Sequence, residues 1–386
     1  MHIKKNQLYF GKFSASYLGK KFGTPLYVYE VSTIKRQYKK LISSIAYRKL
    51  SVHYACKANT NISILKLLRR LGAKVETVSR GEIILALKAG FKPKDILYTS
   101  TSVSRDEIAF VARRKVMVNL DSLSQIKLYG EINPGSNIGI RINQGIGAGH
   151  HGHVVTGGSN SKFGIPLEHI GMAKKLAEKY KLRIVRLHQH IGSNILDKKI
   201  LLNAFDKLLE TALNFKDLES LDFGGGFGIP YTPKEKELDV KGLGKAMVRK
   251  IKWFNKQYGK ELTMILEPGR FLVAEAGVLL ASVTEIKNNP VHTFVGVDTG
   301  FNHFIRPAMY GSFHRIINAS KAKGLPVKTY IVGNICESGD IFGKDRVITS
   351  PKAGDILAIL DTGAYGYVMA SGYNSRPLPP EILIDK

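Results

Sequence analysis

Four short stretches carry residue types that do chemistry. Lys57 lies in "YACKANTN" (54–61), directly after an apolar run. An amine held in a partly desolvated site has a lowered pKa and can attack a carbonyl to give an imine; taken alone, a lysine at a strand end also suits a charged chain exit. In "LHQHIGSN" (187–194), His188 and His190 share one side of an extended segment. An imidazole there can lie flat on a ring, and "IGS" offers a hydroxyl and N–H groups to a phosphate. No third ligand stands nearby to favour a metal. "LDFGGGFGIPY" (221–231) places Gly224, Gly225 and Gly226 after an apolar strand. Backbone N–H groups without a Cβ in the way can close on an anion, although the GK[ST] ending of a nucleotide loop is missing. "LEPGRF" (266–271) brings Glu267, an acid able to partner a ring nitrogen that must stay protonated, and Arg270, a permanent cation suited to phosphate or carboxylate. The competing reading of that pair is an internal ion pair.

These groups need elements that bring them together. Apolar strands are expected near 51–56, 73–78, 95–100, 116–120, 137–142, 183–191, 220–224 and 262–268. Helical patterns lie between them, such as 62–72, 81–90 and 167–180, and "LG" and "AG" close two of these. Eight strands alternating with helices predict a parallel (β/α)8 barrel, in which reactive groups sit at the C-terminal strand ends. All four stretches fall at such ends. After about residue 275 the chain changes to β segments divided by Gly, Pro, Asn and Asp, a mostly β second domain of sandwich or barrel type. The strand at 24–30 could begin the barrel or join the C-terminal sheet. A long glycine-rich connection, 141–164, reads as a mobile loop at the site.

The 386 residues are 44% hydrophobic, enough for a large core. The formal charge of +27 comes from lysine and arginine spread along the chain, not from a tail or a basic-aromatic patch, so a nucleic-acid partner is not expected. The N-terminus lacks the apolar core of a signal peptide, and no apolar run reaches a membrane span. Two cysteines, Cys56 and Cys336, imply no disulfide framework. The expectation is a cytoplasmic protein with no membrane partner.

Taken in order, "FGTPLYVYE", "YACKANTN", "SRGEI", "SKFGI", "LHQHIGSN", "FGGGFG", "EPGRFLV", "RPAMY", "CESGD" and "GAYGYVMASGYNSRP" span nearly the whole chain. This ordered set resembles the fold-type III decarboxylases that use pyridoxal 5'-phosphate (PLP), whose fold is a PLP-binding barrel with a β domain formed by the C-terminal part and the N-terminal strand; the resemblance implies 30–275 for the barrel and 1–29 with 276–386 for the β domain. The resemblance implies that Lys57 bonds the cofactor aldehyde and that His190 stacks on its ring. It makes Ser193, Gly224, Gly225, Gly226 and Arg270 the phosphate cradle, and Glu267 the partner of the pyridine nitrogen. Arg270, Arg306 and Tyr310 become carboxylate-binding residues, and Tyr365 lies near both cofactor and substrate. Cys336, as proton donor to the substrate carbon, and Glu337 would reach in from a second subunit, which implies a homodimer with shared sites.

The pattern also departs from its relatives. Glu76 and Arg80 stand where many of them have Asp and Gly, so the carboxylate near Lys57 is kept but one methylene longer. "CESGD" favours a substrate with a distal carboxylate; ornithine-type relatives carry aspartate after the cysteine. The resemblance therefore implies decarboxylation of meso-2,6-diaminopimelate to L-lysine and CO2. Related enzymes acting on carboxynorspermidine, ornithine, arginine or carrier-bound glutamate, and a non-catalytic regulator on the same fold, are the alternatives.

Overall fold

A computed structural model describes residues 1–149 and 161–385. Most of the 141–164 connection, with His150, His151 and His153, lies outside the described residues.

Among the described residues, eight parallel strands close on themselves: Leu50–Ala55, Lys74–Thr77, Ile96–Ser100, Met117–Leu120, Asn137–Asn143, Arg183–His188, Ser220–Asp222 and Thr263–Leu266. Each pairs with the next, and the last returns to the first through Leu266 beside Val52. These strands lie within a few residues of those expected. Their apolar character follows from burial on both faces, inside by neighbouring strands and outside by helices.

Three successive barrel helices begin alike. Ser79, Ser104 and Ser122 each accept a hydrogen bond from the N–H three residues on, at 3.2 Å, where Glu82, Glu107 and Gln125 stand. Glu82 and Gln125 reach back to the N–H groups of Val78 and Asp121. This reciprocal arrangement satisfies donors that a helix start leaves open, and each serine cap contributes roughly 0.5–2 kcal/mol. Gly72 and Gly90 close two helices at positive φ, as their sequence positions suggested.

The β unit is built on Gly277–Asn288. That strand pairs antiparallel with Thr293–Val297, Ile356–Ile359 and the N-terminal strand Leu26–Glu30. Leu26–Glu30 also runs parallel to Glu381–Ile384, so the N-terminal strand joins this sheet and not the barrel. Leu26, Val28, Val278, Leu280 and Ala358 meet in its core with Leu8, Phe10 and Leu18.

The chain divides elsewhere than at 30 and 275. One unit comprises Met1–Gln37, Pro230–Lys236 and Arg270–Lys386; the other comprises Tyr38–Ile229 and Glu237–Gly269. The excursion at 230–236 has a local cause. The Tyr231 hydroxyl accepts from Arg270 Nη1 at 2.7 Å, and its ring stands edge-on to His314.

Candidate active site

Lys57 sits in a short 3-10 turn, Cys56–Ala58, at the C-terminal end of the first barrel strand. The turn is held from both sides. Tyr54 OH donates to Asn59 O at 3.0 Å, and Ala55 N donates to Pro268 O at 3.2 Å. Gly269 lies so close that an added Cβ would press on Ala58 and Ala55. The Lys57 amine donates to Glu76 Oε2 at 2.6 Å. The carboxylate of Glu76 is buried while the lysine side chain is about one-third exposed. The longer acid thus reaches the amine. Arg80, the second departure, starts a surface helix and lies over the ring of Phe110.

Lys57 and Glu76 line a cavity of about 370 Å³ with Thr99, Arg141, His188, His190 and Glu267. That volume falls within the roughly 300–1,000 Å³ typical of small-molecule sites. Glu267 is buried, with His188 Nε2 3.1 Å from its Oε2. Its Oε1 has no hydrogen-bond partner among the described residues. Burial first, then the charge of Glu76, pushes Glu267 up to about 8, against the pull of Lys57 and Arg141. Burial draws His188 down to about 4 and His190 well below the usual histidine range, so both imidazoles are neutral.

His190 Nδ1 accepts from Gly225 N at 3.2 Å, which leaves the ring proton on Nε2. Gly224 N donates to Asp222 Oδ1 at 3.0 Å. Two of the three glycine N–H groups expected to face an anion are therefore committed inside the barrel. The glycines are needed for another reason as well. Gly224 and Gly226 have φ of +68° and +93°, and a Cβ on Gly225 would run into the carbonyl oxygen of Glu267. Ser193 lies in the two-residue strand Gly192–Ser193 that follows His190.

The other expected residues belong to the β unit. Arg306 is 1% exposed, with its Nη2 donating to Ser312 Oγ at 3.3 Å and its Nε 3.5 Å from His314 Nε2. Its guanidinium lies over Tyr231 and Tyr310, and Arg270 lies over Tyr231 and Tyr365. Among the described residues Arg306 has no carboxylate partner. Two arginines and three tyrosines thus form a cluster suited to a carboxylate. Cys336 and Glu337 are exposed; Cys336 Sγ bonds the Asn374 side chain, and Glu337 accepts from Tyr373 OH at 2.7 Å.

Three residues went unassigned in the sequence. Asp222, Arg141 and Tyr231 all lie in or beside the quoted motifs, and the first two are lone charges within apolar strands. The His188 neighbour also differs from the one weighed. One of the His188 ring nitrogens groups with a carboxylate oxygen each of Asp222 and Glu267, all within 4.8 Å of one another.

A family model for the pyridoxal-binding domain of pyridoxal-dependent decarboxylases matches residues 31–274. The chain belongs to that family. It is 42% identical to a diaminopimelate decarboxylase of Methanothermobacter thermautotrophicus over 98% of this chain and 91% of the relative. A diaminopimelate decarboxylase structure from M. jannaschii matches with TM-score 0.92 at 34% identity, covering 100% of this chain and 92% of that one. The Helicobacter pylori enzyme complexed with L-lysine matches with TM-score 0.88 at 35% identity, covering 95% and 93%.

PLP, the family's cofactor, fits the residues present. The cavity offers an amine at Lys57, a neutral ring at His190, and at Glu267 a buried oxygen lacking a partner among the described residues, where a ring N–H can donate.

Proposed function

We propose that this chain decarboxylates meso-2,6-diaminopimelate to L-lysine and CO2 with PLP. The observation that supports it most is the cavity itself, lined by Lys57 paired to Glu76 and by Glu267, whose Oε1 has no hydrogen-bond partner among the described residues. Bound PLP supplies the electron sink for the pair left behind when CO2 departs. Glu76 holds the Lys57 amine in place beside the cavity. Glu267 supplies the acid partner that keeps a ring nitrogen protonated, and His190 presents a neutral face. Ser193, Gly226 and Arg270 serve the phosphate. Arg306, with Tyr310, binds a substrate carboxylate, and Tyr365 lies over Arg270 to keep that cation in place. Glu337 reads the distal end of the substrate, and Cys336 delivers the proton that replaces CO2.

Cys336 and Glu337 face outward, which suits groups offered to a second copy, so we assign a homodimer with shared sites. Mixing Lys57→Ala with Cys336→Ala protein should then restore turnover that neither has alone. Two unpaired thiols suit a reducing cytoplasm, and no helix among the described residues is long and apolar enough to cross a membrane. The deciding experiment is CO2 release from meso-diaminopimelate beside ornithine, arginine and carboxynorspermidine. Lysine formed from the first alone supports the assignment, whereas brisk turnover of another substrate with none of the first overturns it.

A further inference from the structure

Glu267 does not stand alone behind the cavity. The donor atoms of His188, Asp222 and Glu267 lie within 4.8 Å of one another, and all three side chains are buried. His188 Nε2 touches Glu267 Oε2 at 3.1 Å. Asp222 is fixed from two sides, with Oδ1 accepting from Gly224 N at 3.0 Å and Oδ2 from Asn119 Nδ2 at 3.5 Å. Asn119 is held in turn by Thr99 Oγ1 at 3.0 Å. His188 Nδ1 and Glu267 Oε1 have no hydrogen-bond partner among the described residues.

Two carboxyls this close, away from water, cannot both ionise cheaply. The charged groups acting on them come from each neighbouring strand end. Lys57, Arg141 and Arg186 favour ionisation, and Glu76 opposes it. Burial outweighs the cations, since both carboxyls are pushed up, Asp222 well above its ordinary range, while His188 stays neutral. The same three cations weigh against a divalent metal ion among these donors.

We propose that Asp222 and His188 are positioning residues for Glu267: the two carboxyls share one proton, and His188 fixes Oε2 so that Oε1 is left for a ligand in the cavity. Resting on the PLP reading above, the consequence is a division of labour. When Glu267 Oε1 meets a ring N–H, the shared proton settles on Asp222 and Glu267 stands as the carboxylate. No proton is gained or lost by the pair; it changes owner. Asp222 thereby keeps the surplus acid out of the way, and Gly224 N and Asn119 stay bound to it in either state.

The test begins with protein freed of PLP. Carboxyl protonation is followed by infrared difference spectroscopy and by ¹³C-carboxyl NMR between pH 5 and 9. Asp361, pushed up to about 7 by burial, adds a signal of its own, so the pair is read by difference against its two variants; the wild type should retain one protonated carboxyl within the pair at pH 7. The isosteric Asp222→Asn change should shift the Glu267 midpoint down by a pH unit or more, a tenfold change in proton affinity, and Glu267→Gln should do the same for Asp222. Wild-type protein with no protonated carboxyl within the pair at pH 7, or midpoints unmoved in both variants, overturns the proposal. Reloading with PLP separates the two readings. Wild type that fails to bind PLP sinks the cofactor assignment and leaves the titration standing. In loaded protein, the protonated-carboxyl band of the pair should persist in the wild type and be lost from the Asp222→Asn difference spectrum. His188→Gln serves as a second variant; it should keep the shared proton and weaken PLP affinity about tenfold, and unchanged affinity removes His188 from the scheme.

Discussion

The barrel cavity and the arginine cluster of the β unit are both buried and both charged, yet they are built in opposite ways. In the cavity, acids and cations alternate around the strand ends: Lys57 with Glu76, Arg141 beside His190, and Glu267 against His188 and Asp222. Burial moves the proton affinities of Glu267, His188 and Asp222 far from ordinary values, with neighbouring charges adding to or opposing it. In the β unit, Arg306 is packed against tyrosine rings and a neutral histidine, with no acid partner among the described residues. Guanidinium keeps its charge across the working pH range, so this cluster cannot exchange protons; its chemistry suits an anion. One region stores adjustable protons, the other a permanent charge. A reaction that cleaves a carboxylate while reading others needs both kinds.

Breaking the cavity should cost most. Lys57→Ala should abolish turnover and the absorbance of lysine-bound PLP; a variant turning over normally would remove Lys57 from the chemistry. Glu267→Gln should retain PLP but lower kcat by roughly 10²–10³-fold, the size of losing one preorganised electrostatic partner, read in steady-state kinetics. Breaking the permanent-charge region should act differently. Arg306→Leu should raise KM about 10- to 100-fold with a smaller change in kcat, as expected for losing a charged hydrogen bond of about 1.5–3 kcal/mol. A pure kcat effect would place Arg306 in the proton chemistry and erase the contrast.

A pH scan sharpens the same contrast. Burial pushes Glu267, one of the pair that shares a proton, up to about 8 in the folded chain, whereas its unfolded counterpart ionises near 4.5. The folded state binds more protons across that window, so stability falls as pH rises through it. His188, drawn down to about 4, acts the other way, but only below its unfolded value of 6.5. Calorimetry of PLP-free protein should therefore show Tm falling from pH 6.5 to 8, less steeply in Glu267→Gln and unchanged in slope in Arg306→Leu. The smallest effect lies far from both regions: Ser104→Ala should cost about 1 kcal/mol in denaturant unfolding through loss of its helix cap.

The barrel was legible because its signal is repeated. Eight apolar runs with helices between them leave little choice of architecture, and the motif residues fall at one end of those runs. The three serine caps at 79, 104 and 122 carry the same information at single-residue resolution. Partnerships were harder to read. Asp222 belongs to the quoted "LDFGGGFG", but its place beside Glu267, 45 positions on in sequence, follows only from the register of the seventh and eighth strands. The glycine loop was read as an anion cradle, whereas two of its N–H groups are committed to Asp222 and His190. Sequence shows that glycine is required there; only packing shows that part of the reason is close approach of the Glu267 carbonyl. Tyr231 was passed over because an aromatic after Ile-Pro looks like ordinary loop packing, and nothing local marks it as an acceptor for Arg270.

The two cysteines lie in opposite surroundings. Cys56 is sealed beside Lys57, and burial pushes its thiol up, while Cys336 is open at the surface. A thiol reagent should thus reach Cys336 well before Cys56, and after denaturation it should count two sulfurs per chain. The chain carries its own tally of intactness: the first equivalent monitors the loop of Cys336, and the second appears only when the strand-end turn that bears Lys57 has come apart.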